Sequence, residues 1–193
     1  AFADKKETKQ ESTNDPNAMV AYLFTYFNSN DPKDEQICYA ISDDGYNFTP
    51  LNHGNPVISS DTIALTQCVR DPHILRCEDG KGFYMVATDM RSAYGWSSNR
   101  GMVLLKSKDL INWEQIGHVL DRESQIKLKE ARSWGGIYAP TIRYHKGKFY
   151  MITTNMASKG NFIVTTEDPR GDWSDPIWVD MPGIDPSLFW DDD

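Results

Sequence analysis

The chain has 193 residues, 39% hydrophobic and 25% charged, which is enough apolar material to bury a core and excludes disordered, collagen-like and disulfide-scaffold polypeptides. Twenty Lys and Arg against 28 Asp and Glu leave a net charge of −8, which argues against nucleic acid or an anionic membrane as partner. Aromatic residues make up 12%, a content that suits both sheet cores and the apolar faces of sugars.

Residues 1–19 read as a polar tail left by processing or cloning, with no apolar signal core, and a periplasmic or secreted location is the expectation, with a cytoplasmic one as alternative. The longest apolar run, 19–27, is strand-like and falls short of the roughly 20 residues of a membrane-spanning helix. From Val20 onward, short apolar or alternating runs are separated by Gly, Asp, Asn and Pro clusters, the pattern of an all-β chain. It predicts strands over 21–27, 36–42, 72–76, 82–89, 101–107, 113–118, 141–145, 148–155, 162–166, 177–179 and 187–190, with a weak helix over 124–132. Cys38, Cys68 and Cys77 lack metal-ligand spacing and read as free thiols within or beside strands.

Three segments open alike. Asp71-Pro-His-Ile-Leu-Arg, Ala139-Pro-Thr-Ile-Arg-Tyr and Asp185-Pro-Ser-Leu-Phe-Trp each begin a unit, and the first two continue through a Gly turn into Phe-Tyr-Met. The back halves recur too: Leu105-Lys-Ser-Lys-Asp-Leu-Ile-Asn-Trp113 corresponds to the stretch from Val164 to Trp173, and more loosely to that from Ala40 to Phe48. Repetition at roughly 40–50 residues marks propeller blades rather than one sandwich, with the closing aromatics as packing residues. The domain reading is therefore the N-terminal part of a β-propeller over 20–193, ending within a blade, to be completed by C-terminal blades or a second polypeptide piece. A two-sheet sandwich would leave the repeated aspartates unrelated.

Propeller sites lie on the axis, where the innermost strands converge. Asp71 and Asp185 occupy equivalent starts of such strands, and the proline after each keeps the aspartate out of helical geometry. The other Asp-Pro steps, at Asp15, Asp31, Asp168 and Asp175, read as turns.

Val69-Arg-Asp-Pro-His-Ile74, Gly136-Ile-Tyr-Ala-Pro-Thr-Ile142 with Lys146-Gly-Lys-Phe-Tyr150, the run from Asn161 to Trp173, and Gly183-Ile-Asp-Pro-Ser-Leu-Phe-Trp-Asp-Asp-Asp193 together resemble glycoside hydrolase family 43. The resemblance spans about 20–193 and implies a five-bladed β-propeller that hydrolyses arabinofuranosyl or xylosyl linkages with inversion. It assigns Asp71 as general base and Asp185 as the carboxylate that orients the general acid and raises its pKa. The acid itself, a Glu of the following blade, would lie beyond Asp193, so the 193 residues alone would not turn over. No cofactor is implied beyond a calcium ion on the axis of the complete protein, and no metal ligand is assigned here.

Substrate contact is expected from Asp89, Trp96, Trp134 and Tyr138, the aromatics by stacking on a sugar ring. Arg70 is expected in a structural salt bridge, His73 pointing away from the funnel, and His145 on the surface. Two other readings compete. A fructan or sucrose hydrolase would use Asn14-Asp-Pro-Asn17 beside Arg70-Asp-Pro72, but the first of these stands in the polar tail. A non-catalytic carbohydrate-binding propeller would have no use for both Asp71 and Asp185.

Overall fold

A computed structural model of the chain describes residues 20–126 and 134–191. The polar tail, Asp15 within it, and most of the expected helix over 124–132 lie outside the described residues; 124 and 125 lie in a turn.

The described residues form three antiparallel sheets, each a meander in chain order. The first comprises β1 (Tyr22–Tyr26), β2 (Cys38–Ser42) and β3 (Thr49–Pro50). The second comprises β4 (Val69–Arg76), β5 (Phe83–Asp89), β6 (Met102–Ser107) and β7 (Trp113–His118). The third comprises β8 (Thr141–His145), β9 (Lys148–Asn155), β10 (Gly160–Thr166) and β11 (Ile177–Trp178). The innermost strand β4 neighbours both β1 and β8, so the sheets follow as propeller blades.

The second blade is apolar on both faces, as period-2 alternation dictates when both are covered. Tyr84, Val86, Met102 and Leu104 enter a core shared with Ile142, Phe149, Met151, Phe162 and Trp173 of the third blade. Their strand neighbours Met85, Ala87, Val103 and Leu105 enter a second core with Ile37 and Tyr39 of the first. Trp113 and Trp173, the repeated closing aromatics, pack into these two cores.

The repeat extends to the turn atoms. Ser107 Oγ accepts from the backbone N–H of Asp109 and Leu110, and Asp109 accepts from the N–H of Ile111 and Asn112 and from Asn112 Nδ2. Ser42, Asp44 and Asn47 reproduce each bond between β2 and β3. These donors hold the carboxyls of Asp44 and Asp109 well below the usual carboxylate range.

Two expectations change. The segment 187–190 is not a strand: it has no ladder partner among the described residues and is held by side chains instead. β3 escaped notice because two residues, one of them proline, carry no alternation.

Leu104 is fully buried between the second and third blades. Leu104→Ala is expected to lower unfolding free energy by about 2–5 kcal/mol in urea titration.

Candidate active site

Asp71 stands in a bulge. β4 pairs with β5 at Arg70↔Thr88 and resumes at His73↔Val86, so Asp71 and Pro72 face one residue of the partner strand. Asp71 has φ of 50° and Asp185 has φ of 55°. Proline was expected to keep each aspartate out of helical geometry; both adopt the left-handed region, which Asp and Asn tolerate better than other non-glycine residues. In a bulge that position usually belongs to glycine, and it turns the side chain out of the ladder.

The turn-out brings the two aspartates together. Asp71 and Asp185 line one cleft with Arg70, Trp96, Tyr138 and Ile184. Asp185 Oδ1 accepts from the backbone N–H of Ala139 at 3.3 Å, which ties the third repeated segment to the residue that opens β8's unit. Thr88 Oγ lies 3.1 Å from Arg70 O and 3.4 Å from Asp71 Oδ2, with one proton to give to either. Burial raises the Asp71 pKa, Arg70 opposes the rise, and Asp185 adds to it.

Arg70 is the salt-bridge residue expected, but it also shapes the cleft. Its Nη1 donates to Glu35 Oε1 at 3.0 Å and to Asn30 Oδ1 at 2.6 Å. Its guanidinium lies 4.4 Å from the Phe27 ring centroid and 5.7 Å from that of Trp96. Glu35 is fully buried and also accepts from Ser92 N–H at 2.9 Å, which anchors the short 3-10 turn Ser92–Tyr94 ahead of Trp96. Sequence reasoning missed Glu35 and Asn30, because the stretch 28–35 reads as an exposed polar loop and no spacing rule connects it to Arg70.

Gly136 lies so close to the Trp96 carbonyl that a Cβ there would collide with it. Asn99 Nδ2 donates to Ile137 O, and Ile137 N–H returns a bond to Asn99 O at 3.2 Å. These contacts hold the backbone leading into Tyr138 against the turn that carries Trp96, and both aromatics line the cleft.

The other two expected substrate contacts stand elsewhere. Asp89 is a correction: it is buried, and its carboxylate is consumed by the N–H groups of Leu65 and Thr66 and by the Thr66 hydroxyl, at 2.7–2.9 Å. It holds the loop that leads into β4. Trp134 is half exposed, its carbonyl accepts from Tyr138 Oη at 3.1 Å, and it does not line this cleft. His145 stacks on Trp190 with centroids 4.7 Å apart.

An axial calcium does not fit the residues described. No group of three or more His, Cys, Asp and Glu among them could hold a metal. His73, the histidine of the innermost strand β4, has Nε2 2.6 Å from Arg143 Nη1 and Nδ1 3.4 Å from Ile142 N, and its neutral ring accepts at Nε2 alone. Cys38, Cys68 and Cys77 are free thiols.

Two stability predictions follow from the charges. Glu35→Ala leaves Arg70 uncompensated in a buried site and is expected to cost about 3–5 kcal/mol in urea titration. Asp71 has a folded pKa above its unfolded one, so its contribution is favourable below the unfolded pKa and is lost as pH rises through the folded value. Asp71→Asn, which also suits left-handed backbone, is therefore expected to raise the urea midpoint at pH 7 and leave it unchanged near pH 3.

The family model described as glycosyl hydrolases family 43 matches residues 54–193. A protein named xylosidase/arabinosidase from Butyrivibrio fibrisolvens is 52% identical over 126 residues, covering 64% of this chain and 23% of that protein. A non-reducing end alpha-L-arabinofuranosidase from Bacteroides ovatus is 43% identical over 122 residues, covering 61% of this chain and 22% of that protein. The chain thus spans about a quarter of the length of the curated relatives it matches. Among solved structures, a GH43_12 retrieved from capybara gut metagenome superposes with TM-score 0.58 at 36% identity, covering 90% of this chain and 29% of its own. With three successive propeller blades, an Asp-Pro pair in one cleft and a family match over most of its length, this chain belongs to glycosyl hydrolase family 43.

Proposed function

We propose that the whole polypeptide to which these residues belong hydrolyses arabinofuranosyl or xylosyl linkages of plant polysaccharides or oligosaccharides, with inversion. The observation that carries the reading is the meeting of Asp71 and Asp185, more than a hundred positions apart, in one cleft walled by Trp96 and Tyr138. The names of the matched relatives, xylosidase/arabinosidase and arabinofuranosidase, support the sugar class.

Inverting hydrolysis needs a base on one face of the anomeric carbon and an acid on the other, about 6.5–9.5 Å apart to admit water. In this reading ionised Asp71 takes a proton from the water as its oxygen attacks the anomeric carbon. The glycosidic C–O bond breaks, and the leaving oxygen takes a proton from a Glu outside residues 1–193. Asp185 orients that Glu and, as a neighbouring anion, disfavours its ionisation so that it stays protonated near neutral pH. Burial gives Asp71 the raised basicity that abstraction requires, while Arg70 limits the rise and keeps the carboxylate ionised. Trp96 and Tyr138 supply faces for the apolar side of the sugar ring. No step runs through a metal. A polymeric substrate places the reaction in the periplasm or outside the cell.

The test is turnover of aryl arabinofuranosides and xylosides by the whole polypeptide and its Asp71→Asn variant. The variant is expected to lose about 10²–10⁴-fold in kcat with the sugar still bound. Undiminished turnover would overturn the assignment, and affinity without turnover in the parent would mark a binding propeller instead.

A further inference from the structure

The core shared by the second and third blades and the Ala139 N–H on Asp185 Oδ1 bring the two aspartates near each other without a ladder between their segments. Among the described residues no backbone ladder joins β4 to β8, or β8 to the segment 185–190. One side chain spans all three. Arg143 on β8 places Nη1 2.6 Å from His73 Nε2, donates from Nη2 to Ser187 Oγ at 3.1 Å, and donates from Nε to Leu188 O at 3.3 Å. His73 lies two residues beyond Asp71; Ser187 and Leu188 lie two and three beyond Asp185.

We infer that Arg143 is a positioning residue that sets the separation of Asp71 and Asp185 by tying His73 to Ser187 and Leu188. The inference rests on the hydrolytic reading and adds to it a residue that touches neither water nor sugar.

The chemistry of the tie is one-sided. A guanidinium has donors and no lone pair, so His73 Nε2 must accept. Burial and the Arg143 charge hold His73 down to about pKa 4, which keeps that lone pair free at neutral pH. Only a planar fork reaches three acceptors in three directions; a lysine ammonium keeps the charge but is a single point. The consequence for catalysis is geometric, since displacing a reacting group by about 1 Å can cost about 10²-fold. It is also electrostatic: the charged groups acting on Asp71 are Arg70, Asp185 and Glu35, and of these only Asp185 rides on the segment that Arg143 holds.

The experiment compares Arg143→Lys and Ser187→Ala with the parent in the whole polypeptide, on an aryl glycoside across pH. Arg143→Lys is expected to lower kcat about 10–100-fold with KM changed less than about threefold. The acid limb of kcat/KM is expected to move to lower pH, because Asp185 no longer crowds Asp71. Ser187→Ala should shift both readouts in the same direction by less, and the double variant should be no worse than Arg143→Lys alone, since one tie is being cut. Parental kcat with an unmoved acid limb in folded Arg143→Lys overturns the inference, as does a loss confined to thermal stability. Should Arg143→Lys fail to fold, Ser187→Ala alone decides: an unmoved limb and parental kcat overturn the inference. Undiminished turnover in Asp71→Asn would sink the hydrolytic reading itself, whereas an inactive Asp71→Asn beside a fully active Arg143→Lys removes only the positioning role.

Discussion

The Arg70–Glu35 pair is where the separate parts of the cleft meet. Glu35 comes from the connection between β1 and β2, Arg70 from β4, and the Ser92 N–H that shares the carboxylate from the loop carrying Trp96. Glu35 has no exposure to water and the Arg70 side chain only 11%, so neither charge is tolerable without the other. The pairing therefore fixes, with one interaction, the side of the cleft, the approach of Trp96 and the positive charge beside Asp71. Phe27 and Trp96 bracket the guanidinium, which confines Arg70 to a single direction.

The blades supply rigidity of a different kind. Because the second blade buries both faces, its strands cannot slip by one residue without sending an apolar set into the wrong core. That constraint locates Asp71 relative to β5 before any side-chain bond forms. The bulge at Asp71 and Pro72 then departs from the register at one place, and the departure delivers the carboxylate.

Much of this was legible in local pattern. Alternation in 82–89 and 101–107, and the Ser-Asp-Asn signature of the turns at Asp44 and Asp109, depend on neighbours in sequence, and the strands and turns stand where these patterns put them. The shared cleft of Asp71 and Asp185 was legible through the repeat, which converts distance in sequence into equivalence in space. What was not legible depends on partners far along the chain. Asp89 has the look of a residue at a strand end facing a ligand, and only the fold shows its oxygens given to Leu65 and Thr66. Glu35 looks like one acid in an exposed loop, yet it is the most enclosed charge described, and the expected strand over 187–190 fails for want of a neighbour rather than for want of propensity.

The left-handed backbone at Asp71 and Asp185 narrows what substitution can do there. Asparagine and glycine accept such a backbone at little cost, whereas glutamate, with a longer side chain and less local hydrogen bonding, does not. The replacements cheapest for the chain are thus those that discard the acid, and the one that keeps a carboxyl is among the dearest. Drift at these positions would sooner leave a well-folded chain without the paired carboxyls than one with those carboxyls rearranged.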